Sequence, residues 1–109
     1  MTVDEAIKTA LSATSLPIYA IPYTGTANKY IVFDYYTRPA AFRDDAPQCE
    51  IYHVGVDLIA PAGENVLTLR RQIKNLLYAA DFTYPEETNA SGDKQHYVFE
   101  CEYVGDTGV

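Results

Sequence analysis

The chain has 109 residues, 48% of them apolar, with 15 acids against 8 bases and a net charge of −7. That length suits one domain, residues 1–109, with a single core, and 21% charged residues is too few for the signature of disorder. The acidic balance excludes a dedicated DNA- or RNA-binding module, which needs a basic surface to displace counterions from phosphates.

In chain order, Thr2 and Glu5 form a capping box that starts a helix. Val3, Ala6, Ile7, Ala10, Leu11 and Thr14 recur behind it at helical spacing, predicting a helix over 3–14 that Pro17 closes. Residues 18–23 read as a short strand, and Pro22 argues for an edge position. After a turn at 24–28, residues 29–37 (KYIVFDYYT) are dense in aromatic and β-branched side chains and predict a long strand. Residues 38–48, with two prolines and four charges, read as a long hairpin loop. A third strand follows at 49–59, with Tyr52, Val54, Val56 and Leu58 on one face and His53, Gly55 and Asp57 on the other.

Asn65 is the expected N-cap of a second helix, whose apolar stripe is Val66, Leu69, Ile73, Leu76, Leu77 and Ala80. Arg70, Arg71 and Lys74 give that helix a basic face. Residues 85–95 read as a polar loop without an apolar anchor. The last strand, 96–104, sets Tyr97, Phe99, Cys101 and Tyr103 on one face against Glu100 and Glu102 on the other. The expected fold is α+β, in the order α-β-β-β-α-β. Its sheet has about four strands, mostly antiparallel, with both helices on one face. The short connections predict antiparallel pairing from the first strand to the third; the orientation of the last strand stays open.

Chemistry-bearing patterns are sparse. His53 and His96 each stand alone, so no metal-ligand spacing emerges, and neither a nucleophile elbow nor a P-loop is present. Glu100 and Glu102 alternate on a strand, the pattern of a solvated acidic stripe rather than an acid–base pair. The reading is of a non-enzymatic protein without cofactor or metal. Cys49 and Cys101 fit no redox or zinc motif and read as small strand residues. The N-terminal residues lack a basic n-region and no apolar run reaches membrane length, so the expectation is a cytoplasmic protein without a membrane partner.

Three features suit an interaction protein. Ten residues are tyrosine, and Tyr30 and Tyr36 fall opposite Ile31, Phe33 and Tyr35, on a face that helices on one side would leave open. Tyr suits interfaces, as it suits half-buried strands. The 38–48 loop places Phe42 among Arg38, Arg43, Asp44 and Asp45, a composition fit for docking on a neighbour. Residues 75–109 hold seven acids and one base, whereas 1–74 hold eight acids and seven bases. Such a two-sided subunit can associate head to tail and close a ring.

From the helix VDEAIKTAL, through KYIVFDYYT, the charged hairpin and VGVDLIAP, to NVLTLRRQIKNLLYAADF and the final strand, the chain resembles the small tail-completion proteins of long-tailed bacteriophages and prophages. This group includes tail terminators and tail-to-head joining proteins. The likeness covers residues 3–104 and is one of size, element order and texture. It implies a virion protein of the tail or neck, assembled in the host cytoplasm. Such proteins form a homo-oligomeric ring, typically hexameric, that caps the tail tube protein and meets the head-completion or connector protein. By position, the 38–48 loop corresponds to the hairpin that reaches a neighbour or the tube, and the helix bearing Arg70, Arg71 and Lys74 shows its basic side outward. Glu100 and Glu102 are expected to line an acidic lumen through which DNA passes without being gripped. The alternatives are a neighbouring neck protein, an acidic DNA-mimic inhibitor, and a small-molecule-binding or enzymatic α+β domain.

Overall fold

The computed structural model describes residues 2–21, 25, 27–43 and 46–106, with the backbone alone at 38–43, 46–50 and 105–106. Helix α1 spans Val3–Leu11 and runs into a single 3-10 turn at Ser12–Thr14. The Thr2 hydroxyl accepts from the Glu5 N–H at 3.2 Å, so the predicted capping residue does start α1. Strands β1 (Ile18–Ala20), β2 (Tyr30–Arg43) and β3 (Ala46–Ala60) follow, then α2 (Leu67–Ala79), β4 (Glu86–Asn89) and β5 (Gln95–Asp106). The fold is α+β with the predicted order, and its sheet carries one strand more than expected, five in the order β1-β2-β3-β5-β4.

The expected N-cap of α2 shifts by one residue: Val66, buried in the core, takes that position and accepts the Arg70 N–H at 2.8 Å without a side-chain cap, while Asn65 Oδ1 accepts the Leu67 N–H at 3.1 Å just before it. No helix among the described residues is long and apolar enough to cross a membrane.

Register decides which side chains share a face, because neighbours across a ladder point the same way. Ile31, Leu58 and Tyr97 form one cross-strand row, and Phe33, Val56 and Phe99 the next. These rows meet Ile7 and Leu11 of α1 and Ile73 and Leu77 of α2, all fully buried. Both helices bury residues at i, i+3, i+4 spacings, so each offers one stripe to one side of the sheet. A phenylalanine buried in this way contributes about 1.5–3 kcal/mol relative to leaving it in water. The Tyr35 hydroxyl donates to the Asp4 carboxylate and ties β2 to α1; that hydrogen bond, with a smaller part from desolvation, raises the phenol above its ordinary range.

Three expectations need correction. First, β1 pairs with β2 in parallel, Ile18 beside Ile31, whereas short connections predicted an antiparallel pair. Nine residues, 21–29, join the two strands. At about 3.3 Å each they reach roughly 30 Å, ample to return along a three-residue strand without a helical crossover. Second, residues 38–43 and 46–48 are strand rather than loop, since the β2–β3 ladder runs on to Arg43 opposite Ala46. Their turn-like composition yields to the pairing already established by the neighbouring strands, because each further residue then adds ladder hydrogen bonds without a new closure cost. Third, residues 85–95 are anchored: Pro85 is buried and β4 pairs with β5 along Glu86–Asn89. An edge strand needs little apolar sequence when one of its two sides faces solvent.

The molecule measures 54 × 26 × 24 Å, with a Cα radius of gyration of 15.0 Å against about 13 Å for a compact chain of this size. The β2–β3 ribbon makes the difference: fifteen residues of β3 at about 3.3 Å span roughly 50 Å. β1 flanks β2 at Ile31–Phe33, and β5 accompanies β3 along Cys49–Ala60, so that among the described residues only Ala46–Gln48 of β3 lie beyond it.

Candidate functional site

The face of the sheet away from the helices carries the densest polar chemistry. Strand alternation gives it Tyr30, Val32, Asp34 and Tyr36 from β2, and His53, Gly55 and Asp57 from β3. It receives Val98, Glu100, Glu102 and Val104 from β5, and Glu86 from β4. From Asp34 and Tyr36 across to Glu86, with Thr83 and Tyr84 at the edge, this face borders an open groove of about 510 Å³.

Three cross-strand rows organise it. In one, Val32, Asp57 and Val98 lie abreast, and His96 Nε2, opposite Ile59, reaches diagonally to within 2.7 Å of the Asp57 carboxylate. In the next, Asp34, Gly55, Glu100 and Glu86 lie side by side across four strands. Gly55 leaves room there for the Asp34 carboxylate, which a Cβ at that position would meet at 3.0 Å. In the third, Tyr36 stacks on the His53 ring (centroids 4.7 Å apart, planes 11° apart) and His53 Nδ1 lies 3.5 Å from a Glu102 oxygen. Thr83 closes this row at the sheet edge: its N–H donates to the Glu102 carbonyl at 2.9 Å, and its hydroxyl accepts the Glu102 N–H at 2.8 Å.

Glu100 and Glu102 therefore share one acidic surface with Asp34, Asp57 and Glu86. Tyr36 stands exposed on the same surface and Tyr30 lies half-buried at its far end, six residues along β2. The face is acidic with aromatic edges, because Val32 and Asp34 separate the two tyrosines. Among the described residues no three His, Cys, Asp or Glu side chains are grouped to hold a metal ion.

The expected basic helix face divides in two. Arg70 and Lys74 turn to β4, where both bind the Glu87 carboxylate, Lys74 at 2.8 Å, and Arg70 also covers the Tyr97 ring at 4.2 Å. Burial works most strongly against ionised Glu87, but the two cations outweigh it together and hold the carboxyl below its ordinary range. Arg71 alone of the three is exposed outward. Arg38, Phe42 and Arg43 lie on β2 in the ribbon, and Asp44 and Asp45 fall outside the described residues.

Cys101 is a free thiol buried on the helix side, pushed up to about 12 by burial and secondarily by the Glu102 charge. Its ladder partner is Val54, five residues along β3 from Cys49, roughly 16 Å away and too far for a disulfide.

Asp34, Asp57, Glu86 and Tyr84 were not singled out from the sequence. For Asp34 and Asp57 the signal is the strand alternation that sets Asp34 on the Tyr36 face of β2 and Asp57 on the His53 face of β3; Glu86 is hidden because its segment reads as loop.

No family model matches the chain, and no curated protein matches it. A solved structure with 15% sequence identity superposes with a TM-score of 0.58, covering 98% of this chain and 95% of that one. The similarity establishes the shared fold over nearly the whole length.

Proposed function

We propose that this chain is a structural protein of a phage or prophage head–tail junction. It assembles with copies of itself into a ring, typically hexameric, that caps the tail tube and meets the head connector, so that its place is the virion tail or neck. The observation that carries this reading is the length of the β2–β3 ladder, which runs on to Arg43 and Ala46, well past Phe33 and Val54, the last residues of these strands that are buried among the described side chains. A ladder that extends so far beyond the core is explained by a neighbour that it packs against. The uneven charge adds support: carboxylates gather on one sheet face while α2 has no acidic residue.

That gathering of carboxylates favours a second reading, an acidic DNA mimic that works as a monomer and occupies a nucleic-acid-binding enzyme. Light scattering of the purified chain over a wide concentration range tests both. Discrete multimers of the 12.2 kDa unit support the junction protein. A monomer throughout, joined to inhibition of a nuclease by added chain, supports the mimic.

A further inference from the structure

We propose that the acidic groove on the helix-free sheet face receives the outer stripe of α2 from a second copy, joining subunits head to tail. This inference rests on the ring reading and specifies its contact.

The groove holds charge that its own chain leaves uncompensated. Asp57 has His96 Nε2 at 2.7 Å and Glu102 has His53 Nδ1 at 3.5 Å. Asp34, Glu100 and Glu86 have no ion pair or hydrogen bond among the described residues, although they share one row. Glu86 stands directly opposite Glu100, an arrangement that destabilises a sheet unless a cation intervenes. Beside the charges lie aromatic rings open to solvent: Tyr36 is 67% exposed and Tyr84 56%. Carboxylates framed by aromatic rings suit a guanidinium, which pairs with the first and stacks on the second.

The same chain presents that group. Leu67, Arg71 and Asn75 form an exposed stripe along α2 at i, i+4 and i+8. Arg71 has no carboxylate partner among the described residues, whereas Arg70 and Lys74 are held by Glu87. From Leu67 to Asn75 the helix rises about 12 Å, and the groove from β2 to β4 crosses three strand spacings, roughly 14 Å. The two surfaces match in length and oppose in charge.

They lie on opposite sides of one subunit, so the partner must be another copy. Docking the acidic face on itself would bring like charges together, which excludes a two-fold pair through this surface. The contact is therefore heterologous and propagates from subunit to subunit until rotation closes a ring. It also moves Glu100 from the expected lumen lining to the joint between subunits.

Sedimentation velocity of the full chain tests this with Arg71→Glu, Glu100→Lys, the double variant, and an equimolar mixture of the two single variants. The expected result is that either single change raises the concentration for half-assembly at least about tenfold, while the double variant and the mixture recover assembly. Arg71→Gln and Glu100→Gln should weaken it less, and recovery by mixing shows that the single variants are folded. If wild-type rings form and the single variants assemble equally well, or neither the double variant nor the mixture recovers, the contact is wrong and the ring reading stands. If the wild type stays monomeric throughout, the ring reading fails and the contact with it.

Discussion

Glu87→Gln is the sharpest perturbation of the fold, because one carboxylate neutralises two cations of α2. The Glu87 side chain is 14% exposed, Lys74 20% and Arg70 28%. These exposures exceed those of a fully buried pair, whose rupture costs about 3–5 kcal/mol, yet lie well below those of a surface pair worth about 0–1 kcal/mol. Gln keeps the shape and one acceptor but leaves Arg70 and Lys74 without a counter-charge beneath the helix, so a loss of about 2 kcal/mol is expected. For a domain of this size that lowers Tm by roughly 8–16 °C. Because the cations hold the folded carboxyl below its ordinary 4.5, its contribution is present above that pH and lost as pH falls through the lower folded value. Thermal melts of dilute protein should therefore show a wide gap between wild type and variant at pH 7 that narrows as the pH falls below the ordinary carboxylate range. Equal Tm values at pH 7, or a gap of unchanged size in acid, would refute the reasoning.

Phe99 sits fully buried between Val56 and the helices, so Phe99→Leu should cost about 1–2 kcal/mol and lower the urea midpoint without changing the m-value. An unchanged midpoint would show that Phe99 is not packed as described. In a Cys49→Ser background Cys101 should resist a thiol reagent at pH 8 until the chain is unfolded, since burial keeps it protonated; rapid labelling of native protein would contradict its placement. Glu86→Gln removes the repulsion with Glu100 and should raise the Tm of dilute monomer by a few degrees, corresponding to roughly 0.2–1 kcal/mol. A fall in Tm would mean that Glu86 has a favourable partner.

The sequence made the helices legible because their apolar residues repeat at helical spacing; Thr2 caps α1, whereas Asn65 falls one residue before the N-cap of α2. Alternation sorted β2, β3 and β5 into their two faces, and with them Tyr36, Glu100 and Glu102. What it could not express was pairing. β1 lies parallel to β2 because the intervening segment is long enough to return, a matter of reach rather than of residue type. The strand segments 38–43 and 46–48 are interrupted by prolines and arginines, and strand β4 is polar throughout. They are strands because neighbouring strands offer them hydrogen bonds, and local propensity carries no trace of that offer. The same limit concealed the acidic row: Asp34, Glu100 and Glu86 are far apart in the chain and become neighbours only through the β3–β5–β4 order. The two faces of α2 were also indistinct, since nothing at Arg70 and Lys74 foretold that Glu87 would turn beneath them while Arg71 stayed free of it.

Assembly is the central claim, and electron microscopy of the purified chain at assembling concentration addresses it most directly. The account predicts closed rings with an axial opening, each subunit setting α2 against the acidic sheet face of the next and projecting its β2–β3 ribbon toward a neighbour. Fields containing only monomers, or rings in which that sheet face touches no other copy, would contradict it.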